Sequence, residues 1–130
     1  MASFRLLTRA DDAGLNRTTN RAIRATAKQG IVRNVSVLAT APNLEDAAEL
    51  LLDLSDLVEF GLHVCLTSEW EQPVFTPVSD AAKNLASDGV FPASVDELAA
   101  LEPNADDVAA EVAAQLERLR SLGFKITYID

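Results

Sequence analysis

Apolar residues occur along the chain in two alternating patterns, short runs rich in β-branched side chains and longer segments with a helical period. The short runs predict β-strands at residues 4–9, 31–38, 58–66 and 124–130. The segments in which apolar side chains recur every three or four residues predict α-helices at residues 18–29, 44–55, 95–101 and 106–122. Strands that alternate with helices usually pair in parallel through right-handed crossovers, so the pattern predicts an α/β protein.

Two architectures fit this order of elements. One is a small doubly wound sheet that is complete at 130 residues. The other is about half of a (β/α) barrel, a fold of about 250 residues. The fourth predicted strand ends with the chain and no further helix covers it, which favours parallel β/α units forming about half of a barrel-like fold. We expect residues 1–130 to be a single domain, the N-terminal part of a longer one.

Composition and charge narrow the classes of function. The chain has 130 residues, of which 48% are apolar, enough for one domain with a buried core. With 20 acidic and 11 basic residues its formal net charge is −9, and such a surface repels nucleic acid and anionic membranes, so neither is an expected partner. The single cysteine, Cys65, cannot form an internal disulfide. Neither a signal peptide nor an apolar run of membrane-spanning length is recognisable, so a cytoplasmic location is expected.

The most informative polar feature is a pair of adjacent carboxylates, Asp11 and Asp12, between the first predicted strand and the turn at Gly14. Parallel α/β folds bind their ligands at the carboxyl ends of the strands, where this pair is expected to lie. Adjacent like charges repel unless water, a proton or a cation relieves them, which points to a metal site. The alternative is that both residues act only in a turn or as helix caps, where Asp is common.

The only histidine of the chain, His63, lies near the carboxyl end of the third predicted strand. A lone histidine is commonly a packing or capping residue. Its expected position at the same edge of the sheet as Asp11 and Asp12 favours a metal ligand instead. Cys65, two residues later, is expected to be a small apolar filler, because no nearby group would lower the pKa of its thiol.

Residues 67–94 are predicted to form a long irregular connection, and connections of this length inside a compact domain are usually functional. Its first residues include Thr67, Glu69 and Trp70, which combine a hydroxyl, a carboxylate and an indole. An indole in a polar loop suits stacking on the apolar face of a sugar ring, so these three residues are candidate substrate-binding residues. Packing of the indole over the edge of the core is the alternative.

A family resemblance is carried by an ordered set of motifs. They are Thr8-Arg9-Ala10-Asp11-Asp12-Ala13-Gly14-Leu15-Asn16, Asn20-Arg21-Ala22-Ile23, Gly30-Ile31-Val32, Gly61-Leu62-His63-Val64-Cys65-Leu66-Thr67 and Thr127-Tyr128-Ile129-Asp130. In this order they resemble the YdjC-like carbohydrate deacetylases, which include the chitooligosaccharide deacetylases, over essentially the whole chain. The resemblance implies a (β/α) barrel-like fold and hydrolysis of the acetamide of an N-acetylated sugar with a divalent metal. A carboxylate oxygen and an imidazole nitrogen as ligands favour zinc, with magnesium as the second candidate.

The resemblance also implies roles for individual residues. Asp11 matches the family's catalytic base, and Asp12 and His63 match two of its metal ligands. The family's second metal-binding histidine follows the aspartate that Asp130 matches, beyond the end of this sequence, and Ala13 stands where a phenylalanine is common. We therefore expect weak metal binding and little activity from the 130 residues alone. A half-barrel also has two open sheet edges, so a homo-oligomer formed by dimerisation or strand exchange is a further hypothesis.

Two other classes of protein compete with this interpretation. A non-catalytic carbohydrate-binding or structural half-domain would use the same surface without chemistry. A phosphoacceptor receiver domain has about this length and an acidic pair after its first strand. It needs an aspartate at the end of the third strand, where this chain has His63.

Overall fold

The computed structural model describes residues 3–130, so the first two residues of the predicted domain lie outside the described part. The strands are β1 (Arg9–Ala13), β2 (Asn34–Leu38), β3 (Glu59–His63) and β4 (Ile126–Ile129). The α-helices are α1 (Arg17–Lys28), α2 (Leu44–Leu51), α3 (Val95–Ala100) and α4 (Ala105–Ser121). Short 3-10 turns span Leu52–Leu54, directly after α2, and Lys83–Leu85. All four predicted helices are confirmed to within about one turn at their ends.

The strands pair in parallel and lie in sequence order, β1-β2-β3-β4. Residues of α1, α2 and α4 belong to one apolar core with the strands, so these helices cover the same face of the sheet. A doubly wound sheet reverses its strand order and has helices on both faces. The observed order is that of a barrel segment, which confirms the predicted fold class and argues against a receiver domain.

The core between sheet and helices follows directly from the strand register. Val35 pairs with Phe60 and Val37 with Leu62, and all four side chains are buried on the helix-covered face. The ring of Phe60 meets that of Phe124 edge to face at a centroid distance of 5.1 Å. Because alternate residues of a strand point to opposite faces, the residues between them face the other way, toward the concave side that a barrel would enclose.

The opposite face of the sheet is polar. It carries Arg9 of β1, the fully buried Ser36 of β2 and Tyr128 of β4. Gly61 of β3 lies beneath the Tyr128 ring, and a Cβ at position 61 would overlap that ring. Glycine is therefore required at this position for the ring to cross β3 and reach Ser36.

The predicted position of the first strand, residues 4–9, is wrong. The observed strand is Arg9–Ala13, and the apolar Phe4, Leu6 and Leu7 before it are 79–90% exposed. The apolar run at residues 4–9 predicted a buried strand. The segment that pairs with β2 is more polar than this run, because alternate residues of the segment face the polar side of the sheet. Asp11 and Asp12 therefore lie within β1 and not after its end.

The connection between β3 and α3 is irregular, as predicted, but it is packed. Phe75, Leu85 and Phe91 are buried in a second apolar cluster that also contains Leu38 and Cys65. This confirms the prediction that Cys65 fills space in the core, and burial raises the pKa of its thiol. Within residues 3–130, no helix combines the length and the hydropathy needed to cross a membrane.

Candidate active site

A β-bulge brings the two adjacent carboxylates to one site. Ala10 pairs with Val35 and Ala13 with Val37, so β1 contains one more residue than β2 between these two pairs. The bulge includes Asp12, whose φ of +62° lies in the left-handed region that Asp tolerates better than most residues. In a regular strand Asp11 and Asp12 would point to opposite faces. Here Asp12 Oδ1 lies 3.6 Å from His63 Nε2, and Asp11 has a ligand atom within 4.8 Å of one on His63.

The turn after β1 is anchored by a buried asparagine. Gly14 has a φ of +100°, and its N–H donates to Asn20 Oδ1 at 2.8 Å. Asn20 is fully buried on α1, and its Nδ2 donates to the carbonyl of Asn43 and to Asp46 Oδ2. Asn20 is a helix residue that holds the turn next to Asp12 against the start of α2.

His63 ends β3 and lies between two carboxylates. Its Nδ1 is 3.3 Å from Asp130 Oδ1, and its Nε2 is 3.6 Å from Asp12 Oδ1. Asp11, His63 and Asp130 each offer a ligand atom, and these atoms lie within 4.8 Å of one another. The structure thus brings Asp11, Asp12 and His63 together as the sequence predicted, and it adds Asp130.

Arg9 is the positive partner of this cluster, and it was not among the predicted site residues. Its Nε lies 2.6 Å from Asp11 Oδ1, and its guanidinium also pairs with Asp130. The hydrogen bond to Asp11 and the two carboxylate charges raise the pKa of Arg9 above its ordinary value. The sequence did contain a sign of this ion pair, because Arg9 precedes Asp11 by two residues and residues two apart share a face of an extended strand. Arg9 pairs with two of the three carboxylates of the site, Asp11 and Asp130, so one guanidinium leaves the site negative and attractive to a cation.

The predicted substrate-binding residues line one cavity with part of the acidic site. The cavity has a volume of about 160 Å³, and Asp12, His63, Thr67, Glu69 and Trp70 are among its lining residues. Thr67 Oγ1 donates to Glu69 Oε1 at 3.2 Å. The indole of Trp70 meets the buried ring of Phe75 edge to face at 5.6 Å and remains 42% exposed. Trp70 thus packs on the core edge and also presents a free surface beside the cavity.

Two buried polar residues of α4 hold this loop, and the sequence reasoning missed them. Gln115 Oε1 accepts from the N–H of Cys65, and its Nε2 donates to the Cys65 carbonyl. Glu111 accepts from the N–H groups of Val78 and Ser79 and from Gln115 Nε2. Both side chains are fully buried. Their positions four residues apart within the apolar stripe of α4 were the available signal.

The protein is an α/β protein whose parallel strands bring carboxylates and an imidazole together at their carboxyl ends. A model of the YdjC-like protein family matches residues 5–130. The chain therefore belongs to the YdjC-like family, as the motifs implied.

Similar proteins agree with this assignment. The chain is 31% identical over 121 residues to a protein of Geobacillus stearothermophilus named carbohydrate deacetylase, covering 93% of this chain and 46% of the relative. A carbohydrate deacetylase of Thermoanaerobacter pseudethanolicus is 28% identical over 130 residues, covering 96% of this chain and 48% of the relative. The chain thus spans about half the length of the curated relatives it matches.

A solved structure is similar in fold. It is that of an Enterococcus faecalis V583 protein provisionally described as a cellobiose-phosphate cleavage protein, with a TM-score of 0.81 and 23% identity. The match covers 95% of this chain and 46% of that one. At this identity the likeness concerns the fold, and it supports the barrel-segment arrangement of the sheet.

Proposed function

We propose that this chain carries the catalytic base and two metal ligands of a metal-dependent hydrolase that deacetylates N-acetylated sugars. The observation that carries the proposal is the bulge in β1, which directs both Asp11 and Asp12 toward His63. The relatives named carbohydrate deacetylases supply the class of substrate. Chitooligosaccharides are the substrates that the motif resemblance favours.

The donor set suits a divalent cation. Asp12 Oδ1 and His63 Nε2 face each other at 3.6 Å, a separation that two ligand atoms of one ion can have. A carboxylate oxygen with an imidazole nitrogen suits zinc first and magnesium second. Asp12 and His63 would hold the metal, while the Nδ1 side of the imidazole is occupied by Asp130.

Different side chains of this chain have different proposed roles in the reaction. Asp11 accepts the proton of the attacking water as general base, and Arg9 orients the Asp11 carboxylate through its ion pair. A divalent metal held by Asp12 and His63 would supply Lewis-acid polarisation of the acetamide carbonyl and would lower the pKa of water. Trp70 offers its exposed indole surface to the sugar, and Thr67 and Glu69 offer hydrogen bonds at the cavity wall.

We further propose that residues 1–130 belong to a longer domain. Relatives about twice as long as this chain support the expectation that residues 1–130 are the N-terminal part of a deacetylase domain. The third metal ligand and the acid that protonates the departing amine would then come from the rest of that domain. In the described sheet, β1 and β4 are edge strands, so association of two copies through these edges stays a prediction.

The test separates metal binding from chemistry. Zinc affinity is measured by calorimetry, and acetate release from N-acetylated chitooligosaccharides is measured with the chain extended by its natural continuation. We expect His63→Gln and Asp12→Asn to weaken zinc binding at least about tenfold. Asp11→Asn should retain zinc and lose acetate release by about 10²-fold or more.

Asp56→Asn, a change at an exposed residue away from the site, is the matched control and should alter neither quantity. Zinc binding that is unaffected by His63→Gln would refute the metal site. Sugar binding without acetate release by the extended, zinc-loaded chain would favour the non-catalytic carbohydrate-binding alternative.

A further inference from the structure

We propose that Tyr128 and Ser36 act through Asp130 to fix the tautomer of His63, so that Nδ1 carries the proton and Nε2 stays free. These are positioning residues, since neither lies against the Asp12 side of the ring. Their functional meaning rests on the proposed metal site. The tautomer itself can be measured without any metal.

Three hydrogen bonds form a continuous chain across β2, β3 and β4. The Tyr128 hydroxyl lies 3.1 Å from Ser36 Oγ, and Ser36 Oγ lies 3.0 Å from Asp130 Oδ2. The other oxygen of Asp130, Oδ1, lies 3.3 Å from His63 Nδ1. Backbone bonds fix Asp130 beside β3, because its N–H donates to Leu62 and its carbonyl accepts from Val64.

The directions of these bonds follow from the donors available. An ionised carboxylate only accepts, so the single hydroxyl proton of Ser36 points to Asp130. Tyr128 must therefore donate to Ser36. Asp130 likewise accepts from His63, which places the proton of the neutral imidazole on Nδ1. Tyr128, Ser36 and His63 then all direct protons along one line that ends on Asp130.

The consequence lies on the far side of the ring. Once Nδ1 carries the proton, Nε2 has only a lone pair, and it faces Asp12 Oδ1 at 3.6 Å. Two acceptors turned toward each other at that distance form no hydrogen bond, and a cation between them satisfies both. Without the bond to Asp130, the proton could occupy Nε2 and block this atom as a ligand.

The packing shows that the relay is built into the sheet. Ser36 is fully buried, so its hydroxyl needs partners, and it has Tyr128 and Asp130. The Tyr128 ring reaches Ser36 only because Gly61 has no side chain. Arg9 contacts Asp130 as well, so loss of Ser36 should loosen the carboxylate without freeing it.

Nitrogen NMR of the metal-free chain tests the proposal, because His63 is the only histidine and its ring signals are unambiguous. With its imidazole neutral, the wild type should show mainly the Nδ1–H tautomer. Asp130→Ala should shift the tautomer ratio toward Nε2–H about tenfold, and Ser36→Ala about threefold. Tyr128→Phe keeps the ring over Gly61 and should shift the ratio in the same direction by less.

Thr127→Val is the matched control, since it removes a hydroxyl of β4 that bonds to the Phe60 carbonyl and not to the relay. It should leave the tautomer unchanged. A wild-type ring with the proton on Nε2, or a ratio unaffected by Asp130→Ala, would overturn the proposal. So would a shift in Thr127→Val as large as in Ser36→Ala, because the effect would then reflect general loosening of β4.

Zinc titration of the same variants gives a second measurement. If the relay serves the metal site, Asp130→Ala should weaken zinc binding by the extended chain by up to about tenfold and Ser36→Ala by no more than about threefold, the limits set by their shifts in the tautomer ratio. A protonated Nδ1 in an extended chain that binds no zinc would refute the proposed function while supporting the relay. Zinc bound with equal affinity by wild type and Asp130→Ala would refute the relay's role and leave the proposed function standing.

Discussion

The two faces of the sheet are built from the same strands and do different work. On the helix-covered face, Val35, Val37, Phe60 and Leu62 are almost wholly buried among apolar neighbours. On the opposite face, polar groups are joined by directional hydrogen bonds and ion pairs and are partly open to solvent. Packing on the first face fixes the strands, and the positions of the strands in turn fix the distances between groups on the second face. Changes to the two faces should therefore have separable effects on stability and on the site.

The largest expected effect is on the packed face. Leu62→Ala removes a fully buried side chain next to His63 and should lower the free energy of unfolding by about 2–5 kcal/mol. Urea unfolding followed by circular dichroism measures this change. Ile129→Ala, at a side chain that is 55% exposed, is the control and should cost well under half as much. Similar losses for the two variants would contradict the assignment of the core to one face.

Gly61→Ala tests the contact between β3 and the polar face. The added Cβ would overlap the Tyr128 ring and displace it from Ser36, which should cost about 1–3 kcal/mol in unfolding free energy. In a double-mutant cycle with Tyr128→Ala, the loss caused by Gly61→Ala should shrink, because the ring that it displaces is gone. Additive losses would show that the ring does not require glycine at this position.

Gln115→Leu tests the role of a buried polar side chain on α4. The change leaves the N–H and the carbonyl of Cys65 without their side-chain partner and should cost about 1–3 kcal/mol. Hydrogen exchange at Cys65 should accelerate, because its N–H is then unpartnered. Glu117→Gln, at an exposed position of the same helix, is the control. Unchanged exchange at Cys65 would argue that Gln115 does not hold the loop.

The sequence allowed prediction of those features that depend on local patterns. The helices were predictable because their apolar spacing is local, and the pair Asp11 and Asp12 was recognisable because the two residues are adjacent. The position of β1 was not predictable from hydropathy, because its inner face is polar and a bulge at Asp12 interrupts the alternation. The partnership of His63 with Asp130 depends on the pairing of β3 with β4, and residues 67 apart in sequence give no local sign of it.

The smallest expected effect is on the pH dependence of the polar face. Burial, followed by the charge of Asp130, raises the pKa of Tyr128 above its ordinary value of about 10. The folded chain therefore holds the phenol proton more tightly than the unfolded chain does. The stabilisation that follows is complete below about pH 10 and is lost as the pH rises from there through the raised pKa.

Tyr128 is the only tyrosine, so tyrosinate absorbance follows it directly. The folded chain should titrate at a higher pH than the chain in denaturant, and Tyr128→Phe should flatten the alkaline fall in stability. Because burial also raises the pKa of the Cys65 thiol, the stability comparison is best made in a Cys65→Ala background. Equal tyrosinate curves for folded and unfolded chain would mean that solvent reaches the phenol freely. Such a result would contradict the hydrogen bond between Tyr128 and Ser36, because that bond requires a phenol shielded from solvent.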